Sequence, residues 1–295
     1  MMLIDEARAV SLYDAMATGM EASGGSAGNT IAGAASFGGR AAYIGKVAND
    51  DLGSVYRTDM RAIGAVFDTP ELIGGAATGR SLINVTEDGQ RTMSTFLGAA
   101  NQLTPDDIDG DVVEASEILY LEGYLFDPSD ARAAFERAAD VAHAAGRRVA
   151  VTLSDTFVVD RWRDELRAFI ETSCDIVLAN EAELLSLFQL TDFEAALSEL
   201  RAIVDTAAVT RSEKGSVVVS GDERIEIAAY PVGKIVDTTG AGDQYAAGFL
   251  LGLARGWPLE TCGKLGSVAA AEVIAHWGPR PQVSLRALAE AEGLI

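Results

Sequence analysis

The sequence predicts an α/β fold, a three-layer αβα sandwich whose central sheet is mostly parallel. From Thr104 onward, short continuous apolar segments alternate with longer amphipathic segments. Buried strands that alternate with helices are typical of a parallel sheet covered on both faces. The chain is long enough for a large core, with 295 residues of which 48% are hydrophobic. Near its C-terminal end, the glycine-rich stretch 240–242 leads directly into an apolar helix, which places a predicted ligand site in this fold.

The individual elements are predicted from apolar periodicity and from turn residues. The predicted strands are 1–4, 41–47, 78–86, 91–97, 118–121, 149–153, 176–179, 209–210, 217–219, 225–228 and 235–236. The predicted helices are 6–20, 30–37, one after 53 that runs toward 63, 128–145, one after 160, one from 180, 192–204, one from 243, 259–275 and 284–291. Strands 78–86 and 91–97 should form a β-hairpin, because Asp88-Gly89 supplies a tight turn between them.

Composition excludes several classes of function. The chain carries 23 Lys and Arg against 44 Asp and Glu, a net charge of −21, which argues against a nucleic-acid or anionic-membrane partner. Cys174 and Cys262 are too few for a disulfide framework, so a reduced, cytoplasmic setting is expected. With only His143 and His276, a His-rich metal site is not expected. No apolar run reaches the ~18–20 residues of a membrane span. The sequence leaves monomer and homodimer equally open.

The stretch 234–243 organises the predicted site. An apolar segment at 235–236 runs into Gly240-Ala241-Gly242, and a helix follows at once. The first N–H groups of a helix have no intrahelical partner, and the helix dipole adds partial positive charge there. Glycines allow a phosphate to approach those N–H groups closely. The stretch therefore predicts an anion-binding turn.

Asp243 is unexpected beside an anion site, because its carboxylate would repel a phosphate. One interpretation is a first-turn acid stabilised by the helix dipole. The other is a base that takes a proton from an alcohol while that alcohol attacks a phosphoryl group held in the turn. The residues of the turn alone leave both interpretations open.

Residues 237–243, Asp-Thr-Thr-Gly-Ala-Gly-Asp, and the following Ala-Gly-Phe-Leu resemble the C-terminal signature of the ribokinase/PfkB family of carbohydrate and nucleoside kinases. Residues 23–53, with a Gly-Gly…Asn element and a Gly-x-Val-x-x-Asp-x-x-Gly element, resemble the N-terminal signature of that family. The resemblance covers nearly the whole chain. It implies a ribokinase-like core with a small β-sheet lid, and an ATP-dependent kinase that uses Mg²⁺.

The resemblance favours the catalytic interpretation of Asp243 as general base, with Gly240, Ala241 and Gly242 forming the anion hole. Residues 90–100 are similar to a segment of adenosine-kinase-type members that places an arginine over the reaction site, which implies that role for Arg91. A carboxylate at a helix N-terminus should be a weak base. We therefore expect Asp243 to accept the proton late, after bond formation has acidified the hydroxyl.

Substrate and cation sites follow from the same resemblance. Gly25, Ser26 and Asn29 match the sugar-contacting turn of the family, and the Asn29 amide can both donate to and accept from a vicinal diol. Asp237 and Thr239 match positions near which family members bind a potassium-like cation.

Two further motifs match positions that line the ATP site in the family. Asn180 and Glu183 fit an ordinary capping box, and they also match the family motif in which the glutamate places Mg²⁺ through water. They follow a predicted strand, and the carboxyl edge of an open α/β sheet is where ligands bind. Thr210, Ser212 and Gly215 lie in a polar turn between two strands, which reads as an exposed loop or, by resemblance, as part of the nucleotide site.

The resemblance also divides the chain. We expect lid strands at 1–5 and 20–27, a first core part at 28–72, a lid hairpin at 73–98, and the remaining core with its ATP and catalytic motifs at 99–295. Family members usually open with an apolar strand that ends in an Asp, and no such stretch precedes Met1 in this sequence. We therefore expect an upstream segment in the working protein.

The lid segment and Ser26…Asn29 favour a nucleoside kinase that phosphorylates the 5′-hydroxyl, with adenosine as substrate. A sugar kinase acting on ribose, fructose or a keto-deoxy sugar acid is the alternative. A non-catalytic nucleoside- or sugar-binding module is disfavoured by the retained Asp243, glycine turn and Glu183. A Rossmann dehydrogenase is disfavoured because no Gly-x-Gly-x-x-Gly follows a first strand.

Overall fold

The computed structural model describes residues 1–17, 19–87 and 89–295. Its strands form two sheets. The smaller contains β1 (Met2–Leu3), β2 (Arg80–Val85) and β3 (Arg91–Phe96) in the order β1-β3-β2. The larger has the strand order β4-β5-β6-β7-β8-β9, with β4 to β7 parallel and β8 and β9 antiparallel to their neighbours. Its strands are β4 (Ile118–Glu122), β5 (Arg148–Thr152), β6 (Ile176–Asn180), β7 (Thr206–Thr210), β8 (Ser216–Ser220) and β9 (Glu223–Ile227).

Eleven α-helices are found in the described ranges. They are α1 (Glu6–Ala15), α2 (Ser26–Ser36), α3 (Asp51–Ala62), α4 (Gly110–Glu114), α5 (Ser129–Ala144), α6 (Thr156–Ser173), α7 (Glu181–Phe188), α8 (Phe193–Arg201), α9 (Ala241–Ala254), α10 (Leu259–Ile274) and α11 (Leu285–Ala291). Among the residues described, none of these helices is both long and apolar enough to pass through a bilayer.

The large sheet is covered on both faces, which confirms the predicted three-layer arrangement. Side chains alternate between faces along each strand. Val149 and Val177 therefore belong to a core cluster with α5, α6, α7 and α8. Ala150 and Ile176 instead belong to a second cluster with α9 and α10. Because both faces are buried, the strands are continuous apolar runs, and this is why they could be predicted.

The small sheet contains the expected antiparallel hairpin, with Arg80 opposite Phe96 and Val85 opposite Arg91. The predicted turn residue Asp88 lies outside the described residues. β1 adds to the hairpin in parallel with β3. Helix α1 ends at Ala15 and not at residue 20, because the chain becomes extended at Met16.

Three predicted strand segments are not strands. Segment 41–47 contains one isolated bridge, Ala42–Val66, and a second, Ala48–Leu72, follows it directly. Segment 235–236 lies against the end of α10, where Val236 N donates to Ile274 O, and it pairs with no strand of the described sheets. Residues 20–25 are irregular, and Ser26 already begins α2. The apolar pattern of a segment depends only on its own residues. A β-strand also needs a second strand to pair with along its length.

Candidate active site

The glycine turn lies at the start of α9, as predicted. Gly240 is the N-cap with φ 82° and ψ −2°. A Cβ on Gly240 would lie 2.6 Å from the Pro279 carbonyl oxygen, so glycine is required there for both conformation and space. At Gly242, by contrast, a Cβ would meet no atom within 4 Å. The approach to the helix N-terminus is therefore open.

The amides of the turn differ from one another. Ala241 N donates to the Thr238 carbonyl oxygen at 3.3 Å, so this amide is partly used within the protein. The amides of Gly242 and Asp243 are in the first turn of the helix and have no intrahelical partner. These two N–H groups are the donors that the turn offers to an anion.

The carboxylate of Asp243 is held by two residues of α2. Ser26 Oγ donates to Oδ1 at 2.8 Å, and Asn29 Nδ2 donates to Oδ2 at 2.8 Å. Gly25, the third residue of the predicted substrate turn, is the N-cap of α2. The structure thus brings the predicted substrate-binding residues and the predicted base into one hydrogen-bonded group.

Burial raises the pKa of Asp243 above its ordinary value. The hydrogen bonds from Asn29 and Ser26, and the charge of Arg91, oppose this shift without cancelling it. The sequence argument considered only the helix dipole and predicted a weak base. Desolvation acts in the opposite direction, so the carboxylate is a stronger base than an ordinary aspartate.

Glu122 is a second, half-buried carboxyl group in the site, and sequence reasoning missed it. It ends β4, and its Oε2 accepts a hydrogen bond from Ala27 N in the first turn of α2 at 2.6 Å. Burial, with a smaller contribution from the charge of Asp243, raises the pKa of Glu122 to about 7, although the hydrogen bond from Ala27 N opposes this shift. The sequence could have indicated Glu122, because an acidic residue that directly follows a buried apolar strand lies at the ligand-binding edge of such a sheet.

Gln244 joins the parts of the site. Its side chain is fully buried, and Nε2 donates to the carbonyl oxygens of Asn29 at 2.9 Å and Pro279 at 3.0 Å. The residue after Asp243 therefore fixes α2 and the 279 loop against the start of α9.

Arg91 reaches the same turn from β3. Its Nη1 donates to the Thr238 hydroxyl, and its charge lowers the pKa of Asp243. The hairpin thus places a cation at the segment that precedes the glycine turn.

Asn180 and Glu183 form a complete capping box. Asn180 Oδ1 accepts from Glu183 N, and Glu183 Oε2 accepts from Asn180 N, both at 2.9 Å. Glu183 is 5% exposed, and burial raises its pKa to about 7, with Asp155 contributing in the same direction. Within the described ranges, no three His, Cys, Asp or Glu side chains are grouped to hold a metal ion alone. Both carboxylate oxygens of Glu183 accept hydrogen bonds from Asn180. Its role in placing a hydrated Mg²⁺ stays a prediction.

The polar turn after β7 is fixed to the start of α7. Thr210 is the last residue of β7, and Ser212 begins a short 3₁₀ turn that ends at Lys214, with Gly215 as its C-cap. Arg211 pairs with Glu181 of α7 at 3.0 Å, and its guanidinium lies 3.8 Å from the centre of the Phe193 ring. The ATP-side role of this turn stays a prediction.

The residues matched to a cation site are buried. Asp237 accepts from Thr239 N at 2.9 Å through Oδ1 and from Gly278 N at 3.2 Å through Oδ2. The Thr239 hydroxyl oxygen is buried and has no hydrogen-bond partner in the described part of the chain. An oxygen of this kind suits a hard cation, but no contact of the structure tests the prediction.

An open α/β sheet with a carboxylate beside an amide-lined turn is an arrangement that can hold an alcohol next to a phosphoryl group. Residues 4–284 match the model of the pfkB family carbohydrate kinases. The chain belongs to this family, which confirms the predicted family, the ribokinase-like fold and the phosphotransferase class.

Three relatives illustrate the similarity. The adenosine kinase of Saccharomyces cerevisiae is 30% identical over 274 residues, which is 87% of this chain and 78% of the yeast protein. The crystal structure of adenosine kinase from Sinorhizobium meliloti is 52% identical with a TM-score of 0.96, covering 99% of this chain and 89% of that one. The crystal structure of a probable sugar kinase protein from Rhizobium etli CFN 42 is 49% identical with a TM-score of 0.98, covering 100% and 90%.

Proposed function

We propose that this protein is an ATP-dependent kinase that transfers the γ-phosphoryl group to the 5′-hydroxyl of a nucleoside, with adenosine as its substrate. One observation carries the reaction type, namely that the Asp243 carboxylate lies at the amide-lined turn while both its oxygens are bonded from α2. The adenosine kinases of yeast and S. meliloti support the choice of nucleoside, since they are similar over most of this chain.

The acceptor would bind between α2 and α9. Gly25, Ser26 and Asn29 would contact its hydroxyl groups. The Asn29 Oδ1 atom is buried and without a hydrogen-bond partner among the described residues, so it can accept from a ribose hydroxyl. Asn29 Nδ2 already points to Asp243, and the two ends of one amide would then connect the diol to the base.

The chemistry would be positioning and charge stabilisation. The amides of Gly242 and Asp243, with Gly240 and Ala241 shaping the turn, would hold the terminal phosphates of ATP. Asp243 would take the hydroxyl proton late, when the forming bond has acidified it, and Arg91 would offset developing negative charge. General-base catalysis of this type contributes about 10²–10⁴-fold to rate.

Glu122 would act on the acceptor side through Ala27. Its hydrogen bond fixes the first turn of α2, which carries Ser26 and precedes Asn29. The charge of Asp243 in turn contributes to the raised pKa of Glu122. We therefore assign Glu122 as a positioning residue of this site.

ATP would lie over the carboxyl ends of the late strands, in contact with Asn180, Thr210, Ser212 and Gly215. Glu183 would hold Mg²⁺ through water, and the ion would neutralise phosphate charge. Asp237 and Thr239 would bind a potassium-like cation. Activity measured with and without K⁺ checks that site, and indifference to the ion would remove it.

ATP as co-substrate and two free cysteines, Cys174 and Cys262, agree with a cytoplasmic location.

A sugar kinase acting on ribose, fructose or a keto-deoxy sugar acid is the second candidate. The relative from R. etli favours it, because that probable sugar kinase is similar over the whole of this chain. The hydroxyl-binding side chains of α2 would hold a sugar as readily as a ribosyl group.

An ATP-consumption screen decides between the two candidates. Adenosine, other nucleosides, ribose, fructose and a keto-deoxy sugar acid are compared at equal concentration, with Asp243→Asn as background control. Adenosine turnover far above that of the free sugars supports the proposal. A preference for one sugar moves the assignment to the second candidate, and no turnover with any acceptor removes both.

A further inference from the structure

Thr238 lies between the hairpin and the catalytic turn. Its hydroxyl oxygen accepts a hydrogen bond from Arg91 Nη1, and its hydroxyl proton is donated to the Gly89 carbonyl oxygen at 3.2 Å. Arg91 begins β3 and Gly89 precedes it in the connection from β2, whereas Thr238 is two residues before Gly240. One hydroxyl group therefore joins the two parts of the site.

The two bonds of this hydroxyl depend on each other. A threonine hydroxyl has one proton and two lone pairs. Once the proton is donated to Gly89, only lone pairs remain for Arg91, and a guanidinium can only donate. The bond to the hairpin backbone thus orients the acceptor that holds the Arg91 side chain.

The hairpin connection also packs on the segment before the turn. Gly89 has φ 78°, and a Cβ there would lie 2.9 Å from Ile235 Cγ2. A larger residue would push the hairpin away from segment 235–238. This contact is independent of the two hydrogen bonds, and it places the hairpin at the same segment.

We propose that Thr238 is a positioning residue that latches the hairpin of β2 and β3 onto the catalytic turn and holds Arg91 toward Asp243. Its effect on turnover rests on the proposed kinase function, whereas the latch is a property of the protein without substrate. Without the latch, the hairpin opens more often and the Arg91 charge is no longer fixed near the reacting groups.

An open hairpin also admits water. Closing elements of kinases exclude water from the site of phosphoryl transfer. Loss of the latch should therefore raise ATP hydrolysis without acceptor relative to phosphorylation of the acceptor. It should lower kcat more than it raises KM for ATP, since the latch touches neither Asn180 nor the Thr210–Gly215 turn.

Amide hydrogen exchange of peptides covering 80–96 tests the latch directly, in protein without ligands. Thr238→Val keeps the shape of the side chain and removes both hydrogen bonds, so exchange should accelerate about 5- to 30-fold. Thr238→Ser keeps the hydroxyl and should stay near wild type. Thr92→Val is the matched control, because strand alternation puts Thr92 on the face opposite Arg91. Thr238→Ala repeats the test should the valine variant fold poorly.

Unchanged exchange in both Thr238→Val and Thr238→Ala overturns the latch, whatever the substrate of the enzyme is. Faster exchange together with an increased ratio of hydrolysis to transfer supports the full proposal. Faster exchange with an unchanged ratio and an unchanged kcat overturns the positioning role. A wild-type protein that phosphorylates no acceptor contradicts the proposed function alone, since the exchange measurement stands without it.

Discussion

Asn29 on α2 donates a hydrogen bond from Nδ2 to Oδ2 of Asp243 on α9 at 2.8 Å, although 214 positions separate the two residues in the chain. Ser26 makes the equivalent bond to Oδ1. The acceptor-binding helix and the helix of the proposed base therefore share one polar group. Substitutions of Ser26 or Asn29 should therefore alter the environment of the Asp243 carboxylate.

Asn29→Leu, which keeps the approximate volume of the side chain, should lower kcat/KM for the acceptor about 10- to 100-fold, the effect of losing a hydrogen bond to a charged group. Ser26→Ala should have a smaller effect, since Asn29 Nδ2 still donates to Asp243 Oδ2 in that variant. Steady-state kinetics with the acceptor varied and ATP saturating measure both variants. Equal kcat/KM in Asn29→Leu and wild type would remove Asn29 from the site.

Gly240 and Gly242 offer a matched pair of substitutions. Gly240→Ala should destabilise the fold by roughly 1–3 kcal/mol or more, because residue 240 has positive φ and its Cβ would meet Pro279. Gly242→Ala should fold as well as wild type or better, because residue 242 is helical and its Cβ position is open. Its methyl group would occupy the phosphate approach and lower turnover about 10- to 100-fold. Thermal melting and turnover of both variants give the test, and full activity in a stable Gly242→Ala protein contradicts the anion hole.

The protein without ligands should lose stability as pH rises from about 5 to 8. Burial raises the pKa of Glu122 and of Glu183 from 4.5 to about 7. Between those values the unfolded chain has released the proton and the folded protein retains it, so the stabilisation is complete below pH 4.5 and is lost through pH 7. For Glu183, which is 5% exposed, the loss is roughly 3 kcal/mol.

Thermal melting of Glu183→Gln between pH 5 and pH 8 measures this effect. Glutamine preserves the capping box, so the variant should melt near wild type at pH 5 and above it at pH 8. Glu181→Gln on the same helix is the control, because Arg211 lowers the pKa of Glu181. A Glu183→Gln protein with the pH dependence of wild type would contradict the buried, neutral carboxyl group.

The features that could be predicted from the sequence are those that depend on residues close together in the chain. The start of α9 at the glycine turn, the capping box of Asn180 and the buried strands β4 to β7 are all encoded locally. Segments 41–47 and 235–236 have the same apolar pattern as those strands, but they lack a strand partner along their length, and pattern alone cannot supply that information.

The parts of the site that were not predicted depend on tertiary contacts. Glu122 becomes a site residue only because α2 packs at the end of β4, where Ala27 N meets its carboxylate. The hydroxyl of Thr238 meets Gly89 and Arg91 only after the hairpin has folded over the turn. The pKa of Asp243 depends on burial, which the helix dipole considered alone could not show.

The most direct test of the account is phosphoryl transfer by Asp243→Asn, with ATP affinity measured on the same preparation. Single-turnover transfer to adenosine, at saturating ATP and acceptor, should fall about 10²–10⁴-fold in the variant, because asparagine cannot take the hydroxyl proton. ATP affinity should stay near wild type, since the amides of the turn are unchanged. Transfer at the wild-type rate by a folded Asp243→Asn protein would contradict the account.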